Sequence, residues 1–263
     1  MKYIFLGDIN GKPGRAVVSK LLPNYIKKYN PDFVIANSEN LTHGKGANSK
    51  HLDEMQEIGI NFFTGGNHTF GTKDAMKEFD GGSKRQLRPI NYPKCEIGYG
   101  YFLIDEKFLL ISAMGNVFMG IDLDNPFLVV EDLFAKIKSE IGEEKFQKLD
   151  IFIDFHAETT SEKKAFAYNF DGIATGIFGT HTHVQTNDAQ ILQKGTGYIT
   201  DLGMNGAMES VLGVQKDIII KMMKTQIYDK FELEEQGKYE FSGVFVETEN
   251  GKCKKIEAIK DFL

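Results

Sequence analysis

The sequence predicts an α/β protein built on a mixed sheet, and three observations carry that prediction. Short apolar runs, each stopped by glycine or a polar residue, alternate with segments of helical periodicity at both the start and the middle of the chain. One hairpin pattern interrupts the alternation, and a second closes the chain. At 263 residues, with no Pro-, Ser- or Gly-rich stretch dividing it, the chain is expected to form one domain over residues 1–263.

Residues 3–6 (YIFL) are a continuous apolar run stopped by Gly7 and Asp8, the pattern of a strand buried on both faces. After GDINGKPG, residues Val17, Val18, Leu21, Leu22, Tyr25 and Ile26 recur at helical spacing, with a bend expected at Pro23. Residues 33–36 repeat the strand pattern and end in NSEN, 49–58 read as a helix, and 61–64 lead as a strand into GGNHTFG. Right-handed crossovers in such a βαβαβ unit place the C-terminal strand ends on one edge of the sheet. Strands at 99–104 and 107–113 turn at Asp105-Glu106, and a helix is expected over about 129–148. A strand at 151–155 ends at His156, a helix covers 160–168, and a strand at 173–178 runs into GTHTH. The tail holds GYITDLG, an amphipathic segment around 215–224, and two alternating strands about Asn250-Gly251.

Lysine and arginine total 31 against 37 acidic residues, the wrong sign for a protein that coats extended nucleic acid. A small anionic substrate then requires a local positive site, which metal ions supply. Cys95 and Cys253 stand in no C-x-x-C spacing, so neither a disulfide framework nor a thiolate zinc site is expected, and a reducing cytoplasm fits. The N-terminal apolar run is too short for a signal segment and none reaches membrane-spanning length, so no membrane partner is expected.

Five strand ends deliver GDIN, NSEN, GGNHTF, DFHAE and GTHTHVQ, placing Asp8, Glu39, Asn67, His156, His181 and His183 at one edge. Carboxylates, carbonyl oxygens and imidazoles without thiolate suit manganese, iron or catalytic zinc, and two ions sharing one carboxylate accommodate six ligands. Each residue has a bland alternative. Asp8 could cap a turn, Asn67 could favour a left-handed backbone after Gly65-Gly66, and His156 could be a hydrogen-bonded core histidine. Their company decides for metal. His181 and His183 point to one side if the strand continues through them, whereas a bent loop sends them to two different metals. His43 and Lys45 are candidates for phosphate contact, Arg15 and Arg88 for substrate charge, and Asp154 and Glu158 for support of the ligands; His51 is expected at the surface.

The order Asp, acid, Gly-Asn-His, His, Gly-x-His-x-His resembles the calcineurin-like metallophosphoesterases, and within them the YmdB type. The matching stretches are GDINGKPGR, NSENLTHGKG, GGNHTF, LRPINYP, DFHAETTSEK, GTHTHVQT and GYITDLGMNG, spanning about residues 7–206. The resemblance implies a four-layer αββα sandwich of mixed β-sheets, the metallophosphoesterase fold. It implies two divalent metal ions, the first held by Asp8 and His183, the second by Asn67, His156 and His181, with Glu39 bridging. Asn40 would complete the first site or touch the phosphate, and His68, binding no metal, would be the general acid.

Two positions depart from the broad superfamily: Asn10 stands where histidine is usual and Glu39 where the bridge is usually aspartate, departures the YmdB type shares. The first metal is left short of one imidazole, which ranks iron or manganese ahead of zinc or magnesium. The resemblance further implies a homo-oligomer and hydrolysis of 2′,3′-cyclic, and by extension 3′,5′-cyclic, nucleotides; RNA ends stay open as substrates. Residue chemistry alone supports only phosphoester hydrolysis. An amidohydrolase also uses H-x-H, but on an early strand, and a regulatory protein holding metal and nucleotide with little turnover has no evident use for Asn67-His68.

Overall fold

The computed structural model describes residues 1–82, 84–93 and 96–263, so Cys95 lies outside the described residues. Along the chain the elements are β1 (Lys2–Ile9), α1 (Gly11–Tyr29), β2 (Phe33–Asn37), α2 (Ser49–Glu57), β3 (Phe62–Thr64), α3 (Lys73–Asp80), β4 (Tyr101–Ile104) and β5 (Phe108–Met114). There follow α4 (Pro126–Ile141), α5 (Glu143–Lys148), β6 (Asp150–His156), α6 (Thr160–Asn169), β7 (Gly176–Thr180), β8 (Gln190–Ile191), β9 (Gly197–Ile199) and β10 (Met204–Ala207). The chain closes with α7 (Lys216–Thr225), β11 (Tyr239–Glu249) and β12 (Lys252–Phe262).

The strands form two six-stranded mixed sheets, ordered β12-β11-β10-β1-β2-β3 and β4-β5-β6-β7-β9-β8. Strand periodicity sorts the core into three layers. In β1, Ile4 and Leu6 pack with Val17, Val18 and Leu22 of α1 and Leu52 of α2. Tyr3 and Phe5 point the other way, into a cluster with Phe108, Leu110, Phe152 and Phe178 of the second sheet. The intervening residues of that sheet, among them Leu109, Ile151, Ile153 and Phe155, pack with Val130 and Phe134 of α4 and Phe166 of α6. Helices, sheet, sheet, helices is the four-layer αββα sandwich of mixed sheets that the resemblance implies.

Both expected hairpins form, with Asp105, Glu106, Asn250 and Gly251 all at positive φ, as tight turns between right-twisted strands require. Four local expectations change. The helix of α1 runs unbroken through Pro23, anchored by the burial of Val17, Val18 and Leu22 on one stripe. The helix expected over 129–148 starts earlier, at Pro126 behind the Asn125 cap, and divides at Gly142, whose φ of 87° no helix accommodates. The strand expected from 173 begins at Gly176. The amphipathic α7 forms but buries none of its residues. Among the described residues no helix is long and apolar enough to cross a membrane.

Candidate metal centre

The C-terminal ends of β1, β2 and β3 in one sheet meet those of β6 and β7 in the other. Asp8 is the penultimate residue of β1, held by parallel pairing to Asn37 and Met204 on either side. Glu39 and Asn40 lie in the turn after β2, where Glu39 N–H donates to Asn37 Oδ1 at 2.9 Å and Gly11 N–H donates to the Asn40 carbonyl. Asn67 and His68 follow β3, and the His68 N–H donates to Glu39 Oε2 at 3.0 Å. His156 ends β6 and is fully buried. After β7 ends at Thr180 the chain bends, with φ of 100° at His181 and 63° at His183. The bent loop is therefore the geometry found, and it separates the two rings. Glu39, His156 and His181 form one group of ligand atoms and Asp8, Glu39 and His183 another, each within 4.8 Å, with Glu39 common to both.

Hydrogen bonds on the outer side of each imidazole decide which nitrogen faces inward. The Thr180 hydroxyl donates to Asp154 Oδ1 at 2.6 Å, so at 2.9 Å it accepts from His156 Nδ1–H. His181 Nε2 stands 3.0 Å from Glu158 Oε2, and His183 Nδ1 stands 3.1 Å from the Leu212 carbonyl. Each outer nitrogen thus carries a proton, which leaves the inner one to present a lone pair whenever the ring is neutral. His156 Nε2 faces Asn67 Oδ1 at 2.8 Å, His181 Nδ1 at 3.1 Å and Glu39 Oε2 at 3.2 Å. His183 Nε2 faces Asn40 Oδ1 at 3.1 Å, an oxygen aimed there because Asn40 Nδ2 donates to the Gly44 carbonyl. Acceptors converging on acceptors repel unless a cation lies among them.

Two further features suit cations. Asp8 Oδ1 is buried without a hydrogen-bond partner. A Cβ on Gly66 would come within 2.4 Å of both Glu39 Oε2 and His156 Nε2, so the cradle exists only because residue 66 has no side chain. Burial raises the Asp8 carboxyl above its ordinary range, against the pull of His183 and His156. Burial acts likewise on Glu39, but His156 and then His68 outweigh it and hold that carboxyl low. Burial lowers the His156 imidazole less than Glu39, Asp8 and Asp154 raise it, to about 9. His181 is lowered to about 3 by burial and the His156 charge, so it stays a neutral donor. A field that draws a proton so strongly to His156 draws a divalent ion for the same reason.

The other predicted residues divide. His68 is half-buried, and burial lowers its imidazole against the opposing charge of Glu39. His43 is exposed with its ring edge-on to His51, 6.1 Å between centroids, and neither it nor Lys45 belongs to the two ligand groups. Arg15 donates to the Leu41 carbonyl at 2.6 Å and faces Glu54, so it braces the loop bearing Glu39 and Asn40. Arg88 is not exposed: it is buried and donates to the carbonyls of Ile97, Pro89 and Ile90. His51 is likewise buried rather than at the surface, paired through Nδ1 with the Thr42 hydroxyl. Asn10 shares the Leu212 carbonyl with His183 through Nδ2, at 3.4 Å. Asp154 and Glu158 take the supporting places expected. Sequence reasoning did not identify Thr180 or the Leu212 carbonyl. Thr180 stands inside GTHTH, whereas a backbone carbonyl leaves no residue-type signal.

A family model described as YmdB-like protein matches residues 4–259. A 2′,3′-cyclic-nucleotide 2′-phosphodiesterase of Bacillus subtilis (strain 168) is 39% identical over 98% of this chain and 96% of its own. The crystal structure of a phosphatase of Mycoplasma pneumoniae superposes with a TM-score of 0.90 at 36% identity, covering 100% of this chain and 93% of that one. A structure of a hypothetical protein from Thermus thermophilus superposes with a TM-score of 0.89 at 34% identity, covering 100% and 99%.

Proposed function

This chain belongs to the YmdB-like family and is a hydrolytic phosphoesterase, and from that premise we propose that it is a dinuclear-metal phosphodiesterase of 2′,3′-cyclic nucleotides, with 3′,5′-cyclic nucleotides as further substrates. The observation that carries the proposal is the inward lone pair of each of His156, His181 and His183, aimed at oxygen or nitrogen acceptors around Glu39. Asp8, Asn40 and His183 would hold one ion, Asn67, His156 and His181 the other, with Glu39 between them. When bound, such a pair of ions supplies a hydroxide at neutral pH and neutralises charge on the phosphoryl oxygens. Iron or manganese fits the oxygen-rich first set better than zinc or magnesium.

The residues themselves account for the rest. Outer hydrogen bonds to Thr180, Glu158 and Leu212 hold the three imidazoles in the liganding tautomer before substrate arrives, so no reorganisation is left for the reaction. His68, fixed through its backbone to Glu39, would give its imidazole proton to the departing O2′ as the P–O2′ bond breaks, leaving a free 2′-hydroxyl and a 3′-phosphate. Asn40 and exposed His43 would contact the phosphate or the nucleoside. Residues 1–263 act as one domain in this proposal, because both sheets supply ligands to one cluster. The homo-oligomer implied by the resemblance belongs to the same proposal; β12 ends its sheet and offers an edge for pairing. A cytoplasmic setting suits the buried free thiol of Cys253.

The test is to load the protein with Mn(II), count ions by elemental analysis, and follow 2′,3′-cyclic AMP by chromatography. Two ions per chain and release of the 3′-monophosphate are expected, and His68→Ala should keep both ions while slowing turnover by about 10²-fold or more. Nucleotide binding without product would replace the enzyme reading with the regulatory one, and one ion or none would overturn the dinuclear assignment.

A further inference from the structure

Beyond the ligand groups, a buried ion pair between α6 and the β9–β10 connection is left unused by the chemistry above. Lys163 of α6 is 1% exposed and Asp201, between β9 and β10, is 0% exposed. The Lys163 ammonium donates to Asp201 Oδ2 at 2.7 Å and to the Thr180 carbonyl at 2.8 Å. Asp201 Oδ2 also accepts from the Thr182 N–H at 3.0 Å and the Thr182 hydroxyl at 2.8 Å, while Oδ1 accepts from Gly203 N–H at 2.8 Å. A buried ion pair gains its net stability only when its remaining valences are satisfied, and here four donors surround one carboxylate.

Thr182 is the residue between His181 and His183. In extended backbone those two side chains point to the same side, and both could not enter separate ligand groups. They diverge because both adopt positive φ, a conformation that is strained for a non-glycine residue and persists only when its surroundings enforce it. The outer hydrogen bonds to Glu158 and Leu212 set how the two rings rotate, but neither touches the backbone between them. The contacts that grip that backbone come from Lys163 on Thr180, from Asp201 on Thr182, and from Asp8 Oδ2, which accepts from the His181 N–H at 3.2 Å.

We propose that Lys163 and Asp201 are positioning residues: their buried pair clamps Thr180 and Thr182 so that His181 and His183, two residues apart, each serve a different metal. Asp201 further ties the clamp to the first sheet, since Gly203, which it holds, accepts from the Asp8 N–H at 3.1 Å. The proposal rests on the dinuclear reading above.

Two measurements separate the clamp from that reading. Hydrogen exchange at the Thr182 amide in metal-free protein reads the clamp itself, and Mn(II) titration followed by electron paramagnetic resonance reads its consequence. Thr182→Val leaves the buried pair and its bond to the residue 182 N–H intact and removes only the hydroxyl bond to Asp201; it should loosen the clamp enough to speed exchange at residue 182 and weaken Mn(II) binding about 10-fold, while Thr182→Ser stays close to wild type in both. The double variant Lys163→Met/Asp201→Asn, which leaves no buried charge unpaired, should lose about 10- to 100-fold in Mn(II) affinity and the spin coupling between ions. Faster Thr182 exchange with Mn(II) affinity within about threefold of wild type would show a purely structural pair and overturn the proposal. If wild type binds fewer than two Mn(II), the dinuclear reading fails, and unprotected exchange at its Thr182 amide would overturn the clamp as well.

Discussion

Thr180 accepts a hydrogen bond from His156 Nδ1 at 2.9 Å and donates its own to Asp154, so one hydroxyl determines which nitrogen of the most buried histidine faces the centre. Asp154 is held in place to accept that bond because Asn37 Nδ2 and the Thr64 hydroxyl satisfy its second oxygen. The arrangement is a carboxylate, hydroxyl, imidazole relay in a fully buried setting.

Thr180→Val keeps the shape of the side chain and removes the relay. Mn(II) affinity is expected to fall about 10- to 100-fold while Thr180→Ser stays close to wild type, as read by isothermal titration. Equal affinities for the two variants would show that the hydroxyl does not set the tautomer.

Gly66→Ala should abolish metal loading without unfolding the protein. Residue 66 is not at positive φ, so the backbone accepts alanine, but the new methyl lies 2.4 Å from both Glu39 Oε2 and His156 Nε2. Elemental analysis should find neither ion retained, with hydrolysis down by about 10³-fold or more, the loss expected when both Lewis acid and nucleophile are removed. Circular dichroism should stay unchanged.

Metal should stabilise the fold by linkage, at about 2.7 kcal/mol when free ion exceeds its dissociation constant 100-fold, and EDTA should reverse the gain. Asp8→Asn should raise the Tm of the metal-free protein, because the buried carboxylate is disfavoured by burial and faces Glu39 and Asp201. The same variant should show a smaller rise with Mn(II). Differential scanning calorimetry with and without EDTA measures both effects, and a metal-free variant less stable than wild type would refute the claim that burial penalises the Asp8 carboxylate.

Arg88→Met should destabilise by about 2–4 kcal/mol, since three backbone carbonyls lose a charged donor in a buried setting. Urea unfolding measures the loss. Turnover per folded molecule should be unchanged, whereas an arginine that recognises substrate would raise KM.

The strand ends were legible in the sequence because the signal is local: YIFL stops at Gly7-Asp8 and IFIDF at His156, so hydrophobic runs mark where ligands emerge. The separation of His181 from His183 was legible only as one of two options, since it depends on Asp201, well further along the chain. His51 was expected at the surface and Arg88 near substrate, because their charge and polarity favour solvent on average, whereas here the Thr42 hydroxyl and backbone carbonyls satisfy them inside. The break at Gly142 and the start at Gly176 depend on backbone angles and pairing that apolar periodicity does not encode. The strands β8 and β10 escaped, β8 for its two-residue length and β10 because MNGA offers no apolar run for a strand pattern to register.

β1 carries Asp8 yet is flanked by β10 and β11, with Tyr3 registered to Val246 and Asp8 to Met204. During synthesis the first ligand therefore leaves the ribosome about two hundred residues before one of its flanking strands exists, and that contact forms late because loop closure over such a span is slow. Until then β1 is paired with β2 alone, and its other edge stays unpaired and apolar. A chain cut between His183 and β11 therefore carries every proposed ligand while leaving Lys2–Leu6 without its antiparallel partner.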